Sequence, residues 1–168
     1  FDKHRNWKYH YEFSSNAHIL AYEIAMLNDQ IELSNVLFKE GIQKMMAVER
    51  SKLRLTKTML HIQFGELQAG IEEGLAALKE LGINVPKKAG LLHVGKEFLR
   101  TKFMLRKLSL DDIYHLPPMK DKKIENAFEI IFWMFRAAYH INPELNGVLA
   151  LKKLQLMLTH GTNGEAYS

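Results

Sequence analysis

The chain has 168 residues, 47% hydrophobic and 25% charged, with a net charge of +4. That length and balance suit one soluble globular domain with a substantial core. The absence of cysteine excludes a disulfide framework and thiolate metal sites, and fits a reducing compartment. Four prolines and the lack of strand-like alternation point to an all-α chain.

The first eleven residues mix Trp7, Tyr9 and Tyr11 with Lys3, His4, Arg5, Lys8 and His10. Such a cluster could stack on bases, but its shortness favours a segment packed on the first helices. The chain starts at Phe1 and closes on G-T-N-G-E-A-Y-S, which reads as a turn entering another helix and so as a piece of a longer polypeptide. No signal peptide and no apolar run near the ~20 residues of a bilayer span are present.

Ser14 or Ser15 is placed to cap a helix reaching Leu27, and Asn28-Asp29 makes a turn. A second helix then carries Ile31, Ser34, Leu37, Phe38, Gly41 and Ile42 on one face. A third is expected over 47–64, where Gly65 breaks it. In the next helix Leu67, Ile71, Leu75, Leu78 and Leu81 form one stripe. Ala69, Gly70, Gly74, Ala76 and Ala77 are small enough to admit a neighbouring helix closely; Gly82 and Pro86 end the helix. Two interior glycines cost roughly 1 kcal/mol each relative to alanine, so close packing must offset them.

Ile31, Phe38 and Gly41 fall 36 residues before Leu67, Gly74 and Ala77, and the Asn28-Asp29 turn falls the same distance before Phe64-Gly65. A two-helix unit of this period resembles a degenerate tetratricopeptide repeat. The expected fold is therefore all-α: tetratricopeptide-like hairpins stacked as an α-solenoid over 1–86, followed over 87–168 by further helices packed on the first half.

Past Lys87-Lys88 the spacing predicts a basic amphipathic helix over 91–107, with Leu92, Phe98, Leu99, Phe103 and Leu105. Such a helix suits an acidic lipid surface, but Glu97 on its polar face favours packing through the Phe and Leu side onto the repeats. Ser109 begins a short capped turn over 111–116, which Pro117-Pro118 ends. Asp121 caps a helix over 122–141, apolar enough to be the most buried of the second half, and Asn142-Pro143 separates it from a last helix over 144–160.

The chain contains no P-loop, no G-x-G-x-x-G, no kinase H-R-D or D-F-G, and no nucleophile elbow. The eight histidines show neither HExxH nor i, i+4 pairing for zinc, and lone helical residues such as His61 and His140 read as surface or hydrogen-bonded groups. Glu72-Glu73 and Asp111-Asp112 read as solvated helix faces and dipole partners. Met45-Met46 reads as core filling. No catalytic residue, cofactor or metal is assigned, and the segment is read as not an enzyme.

The order A-L-K-E-L-G-I-N-V-P-K-K, K-F-M-L-R, L-P-P-M-K-D, A-A-Y-H-I-N-P-E-L, L-K-K-L-Q-L and H-G resembles the tetratricopeptide-like helical region of large bacterial multidomain signalling proteins. Those join a STAND-type ATPase to serine/threonine kinase-like, GAF and histidine kinase domains. The resemblance implies a cytoplasmic relay or scaffold and assigns no catalytic residue within this span.

The expected role is a non-catalytic module that contacts a protein partner or neighbouring domains of the same chain. First helices of stacked pairs line a concave face, here Ser15, His18, Tyr22 and Met26 with Arg50, Arg54, Lys57 and His61. The basic second set suggests an acidic helix or peptide as ligand. The alternative is a helical nucleic-acid-binding module using the scattered Lys and Arg, although their interleaving with acids speaks for solvated faces and against nucleic acid.

Overall fold

The computed structural model describes Trp7 and residues 10–162, and among these it contains helices and no strand. The helices are α1 (Tyr11–Leu27), α2 (Ile31–Lys44), α3 (Ala47–Gln63), α4 (Leu67–Glu80), α5 (Leu91–Leu105), α6 (Leu110–Tyr114), α7 (Lys122–Ile141) and α8 (Pro143–His160). None of them is long and apolar enough to cross a membrane. Of the aromatic and basic cluster at the start, Lys3, His4, Arg5, Lys8 and Tyr9 lie outside the described residues, as do residues 163–168 of the closing turn.

Among the described residues, α1 to α4 form two hairpins of the same dimensions. α1 and α3 each have 17 residues, and α2 and α4 each have 14. Each boundary of the second pair falls 36 residues after its counterpart: Tyr11 and Ala47, Leu27 and Gln63, Ile31 and Leu67, Lys44 and Glu80.

The turns inside the hairpins agree in detail. Asp29 (φ 57°) and Gly65 (φ 81°) both adopt the left-handed conformation. The next residue in each case donates back to the preceding helix, Gln30 N–H to Ala25 O at 2.9 Å and Glu66 N–H to His61 O at 2.8 Å. This is the Schellman closure, which satisfies carbonyls that a helix end would otherwise orphan. The same closure ends α4, where Gly82 has φ 79° and Ile83 N–H reaches Leu78 O at 2.8 Å.

The core lies where the small residues of α4 admit other helices. Ile62, Ile71, Leu75 and Leu78 meet Ile130, Ile131, Met134, Leu145 and Leu149 in one buried cluster, with Ile83 and Val85 of the 81–90 linker packed against it. A Cβ at Gly70 would lie 2.5 Å from Ile62 Cγ1, and one at Gly74 2.5 Å from Met134 Sδ. These are the close approaches that offset two glycines in a helix. α7 crosses both α3 and α4 and buries Ala127, Phe128, Ile130, Ile131, Met134, Ala137 and Ala138. Asn126 ties it to the start of α3, donating to Ser51 Oγ at 2.8 Å and Val48 O at 3.2 Å.

The caps are largely where residue chemistry puts them. Ser109 and Asp112 form a capping box on α6, Asp121 Oδ1 accepts from Lys123 N, and Asn142 Oδ1 accepts from Leu145 N at 2.9 Å with Pro143 at the first helical position. α1 starts earlier than a Ser14 or Ser15 cap implies, because His10 O already accepts from Ser14 N at 2.8 Å. Met45 is buried, but Met46 is exposed and fills no core gap.

The helix over Leu91–Leu105 reverses its expected orientation. It packs mainly on α8, and the residues it buries are Glu97 and Thr101. Leu92 is 89% exposed, Phe103 61% and Phe98 56%. The reason lies on α8, which offers Lys152 and Gln155, both buried, to the polar stripe. Lys152 Nζ sits 2.9 Å from Glu97 Oε2, and Gln155 Nε2 donates to Glu97 Oε2 and Thr101 Oγ1, each at 3.0 Å. Each buried charge here has its counter-charge, so neither is left uncompensated, and with these partners on α8 the polar stripe faces in and the apolar stripe faces out.

Candidate functional site

α1, α2 and α3 enclose a cleft of about 460 Å³. Tyr22, Met26 and Leu27 come from α1, Ile31, Ser34, Asn35 and Phe38 from α2, and Lys57 and His61 from α3, with Phe64 and Glu66 from the turn that follows. Helical spacing produces this convergence: Tyr22 and Met26 lie one turn apart, as do Lys57 and His61, and α2 presents Ile31, Ser34 or Asn35 and Phe38 on successive turns.

Tyr22 and Phe38 form the floor, their ring centroids 5.8 Å apart. Tyr22 is 1% exposed, and its hydroxyl has no hydrogen-bond partner among the described residues. Burial drives the phenol's pKa well above its usual value, and the nearby Glu73 carboxylate adds to that rise, so this hydroxyl keeps its proton. Ser34 turns its own hydroxyl back to Ile31 O at 2.8 Å. Over the floor, Lys57 Nζ lies 3.8 Å from the Phe38 ring centroid, a close cation–π contact. Leu27, Ile31 and Phe64 form an apolar rim, each about half exposed.

The structure separates the eight residues singled out from sequence. Tyr22, Met26, Lys57 and His61 share the cleft; the others do not line it. Ser15 is fully buried and donates to Glu12 O at 3.0 Å. His18 ties α1 to α2, with Nε2 2.7 Å from Leu37 O, and stacks edge-on against Trp7. Ser15 and His18 therefore belong to the side of α1 that packs inward. The outward stripe of that helix is Phe13, Leu20, Ile24 and Leu27. Trp7 and Tyr11 are docked as well: the Tyr11 hydroxyl donates to Glu49 Oε2 at 3.0 Å and accepts from Met46 N at 2.6 Å.

Arg50, Arg54 and Lys57 of α3 are not free to meet an acidic ligand, because α4 supplies their counter-charges. Arg54 holds Glu80 through two bonds, Nε to Oε2 at 3.0 Å and Nη2 to Oε1 at 2.6 Å, and its Nη1 donates to Glu73 Oε1. Burial opposes the guanidinium's charge, but the Glu80 and Glu73 carboxylates outweigh it and raise the pKa further. Arg50 approaches Glu80 at 3.8 Å, and Lys57 reaches Glu73 Oε2 at 3.2 Å. His61 Nδ1 lies 2.5 Å from Glu66 Oε2. Glu73 is thus a partly buried interhelix clamp and not the solvated residue its neighbour Glu72 suggests.

Sequence reasoning missed Phe38, Leu27, Ile31 and Phe64 as site residues. Phe38 was visible only as a core position; the rim residues flank the two turns, where apolar side chains have no helical neighbour to cover them. No group of three or more His, Asp or Glu able to hold a metal ion occurs among the described residues. Compared with protein-family models, curated proteins and solved structures, the chain matches none.

Proposed function

We propose that this chain is a non-catalytic, tetratricopeptide-like helical module that makes protein–protein or interdomain contacts. The setting that the sequence resemblance implies is a cytoplasmic bacterial signalling protein of the STAND ATPase and kinase type. The two hairpins of matching length support the repeat reading, since stacked helix pairs offer an extended surface and little enclosed chemistry.

The observation that carries the proposal is the cleft between α1, α2 and α3, with an aromatic floor and a rim of half-exposed Leu27, Ile31 and Phe64. Large exposed apolar side chains around a concavity are typical of contact surfaces. Because Arg50, Arg54, Lys57 and His61 are already engaged by Glu66, Glu73 and Glu80, the favoured ligand is an apolar helix face or loop and not an acidic peptide. Lys57 over Phe38 leaves a polar edge beside that apolar surface.

The test is the double substitution Leu27→Asp, Ile31→Asp. Both side chains are solvent-exposed, so the urea midpoint is expected to move little, by about 1 kcal/mol or less in stability. Protein that co-purifies with the wild-type chain is expected to be lost from the variant. Unchanged co-purification would contradict the assignment of the cleft.

A further inference from the structure

A second surface lies on the outer side of α5. Placed at 100° per residue, Leu91, Leu92, Phe98, Leu99 and Phe103 fall within an arc of about 140°, and all five are more than half exposed. Lys102 and Arg106 lie inside that arc toward its C-terminal end, Lys96 lies about 20° and Arg100 about 60° beyond one edge, and all four are exposed. Arg106 already rests 5.7 Å over the Phe103 ring.

We propose that this face docks on the surface of an anionic lipid bilayer, with α5 lying in the headgroup plane. Between residues 81 and 107 the only acid is Glu97, and it is buried against Lys152 and Gln155 on the opposite side of the helix. Seven cations in that stretch (Lys87, Lys88, Lys96, Arg100, Lys102, Arg106 and Lys107) are exposed; Arg100 lies near enough to Glu97 to help hold its carboxylate ionised, and the other six give the outward side an excess of positive charge.

The placement of the cations favours lipid over protein. In a dry protein interface Lys102 and Arg106 would lose water in the middle of an apolar patch and need carboxylate partners placed to match. At a bilayer their stems lie along the apolar surface while the charged ends reach lipid phosphates. The Glu97–Lys152 clamp keeps the apolar arc directed outward. This inference concerns a surface separate from the cleft and does not depend on what the cleft binds.

Sedimentation of the whole chain with vesicles tests it. Vesicles containing about 30% phosphatidylserine in phosphatidylcholine should carry the chain down, whereas phosphatidylcholine alone should not. Raising salt from about 50 mM to about 300 mM should weaken the association. Phe98→Ser with Leu99→Ser, both at exposed positions, should reduce binding by about tenfold or more while leaving the urea midpoint in place. Arg100→Gln, Lys102→Gln and Arg106→Gln together should weaken binding and flatten its salt dependence. No sedimentation with anionic vesicles at low salt would overturn the proposal, as would binding that F98S/L99S leaves unchanged. Self-association or protein binding that F98S/L99S abolishes, without vesicle binding by the wild-type chain, would assign the face to a protein instead and equally overturn it.

Discussion

Gly74→Val is expected to destabilise the fold by about 3 kcal/mol, at the upper end of the range for overpacking a filled core. Two effects compete at this position. Replacing a helical glycine by valine favours the folded state by only a few tenths of a kcal/mol, because the β-branch gives back much of the roughly 1 kcal/mol that alanine would gain. Against that, even the first carbon of the new side chain would stand 2.5 Å from Met134 Sδ, 2.6 Å from Met134 Cγ and 3.4 Å from Thr58 Cγ2. Met134 is fully buried, so it has nowhere to retreat, and the valine methyls would have to separate α4 from α7. Urea denaturation followed by circular dichroism measures the change. Combining Gly74→Val with Met134→Ala should recover part of the loss, because the two changes act on one space. A Gly74→Val chain as stable as wild type would mean that α4 and α7 do not pack this closely.

Lys152→Ala is expected to cost about 3 kcal/mol near neutral pH, since removing one partner leaves the other charge buried and uncompensated. Glu97 is the exposed weakness. Burial pushes its pKa up, but bonds from Gln155 and Lys152, with the charges of Lys152 and Arg100, outweigh burial and hold it below its ordinary value of 4.5. A carboxylate with a lowered folded pKa binds fewer protons in the folded than in the unfolded chain. Its contribution is therefore full above pH 4.5 and is lost as pH falls through the depressed value. In the Lys152→Ala variant the opposing bonds are reduced while burial remains, so acidification should narrow the gap from wild type. The double change Glu97→Gln, Lys152→Met should lie much closer to wild type than either member alone. A constant gap across acid pH would show that the ion pair is not what holds α5 to α8.

Helix boundaries were largely legible in the sequence because each has a local chemical cause. Gly65 and Gly82 supply left-handed residues, Asp121 and Asn142 supply capping oxygens, and Pro143 can only begin a helix. The 36-residue offset was legible for the same reason, with Asp29 standing where Gly65 stands in the second hairpin. The direction α5 faces was not legible. Its pattern defines two stripes, but which of them finds a partner depends on Lys152 and Gln155, more than fifty residues away. The fate of the α3 cations was hidden likewise: a basic stripe at helical spacing looks the same whether Glu73 and Glu80 arrive from α4 or not. On α1, Ser15 and His18 lie on the inward stripe while Tyr22 and Met26 reach the cleft, because small, polar and aromatic side chains are compatible with either side of a hairpin.

Contact through the α1–α3 cleft is tested most directly by placing a photo-crosslinking p-benzoylphenylalanine at position 64, on the exposed rim, and irradiating cells that make the protein in its natural context. A discrete crosslink to a polypeptide segment is expected, either of the same chain or of a partner, and it should disappear when Leu27 and Ile31 are both changed to Asp. A benzophenone at position 64 that crosslinks to nothing, or a crosslink indifferent to those two substitutions, would contradict contact through this cleft.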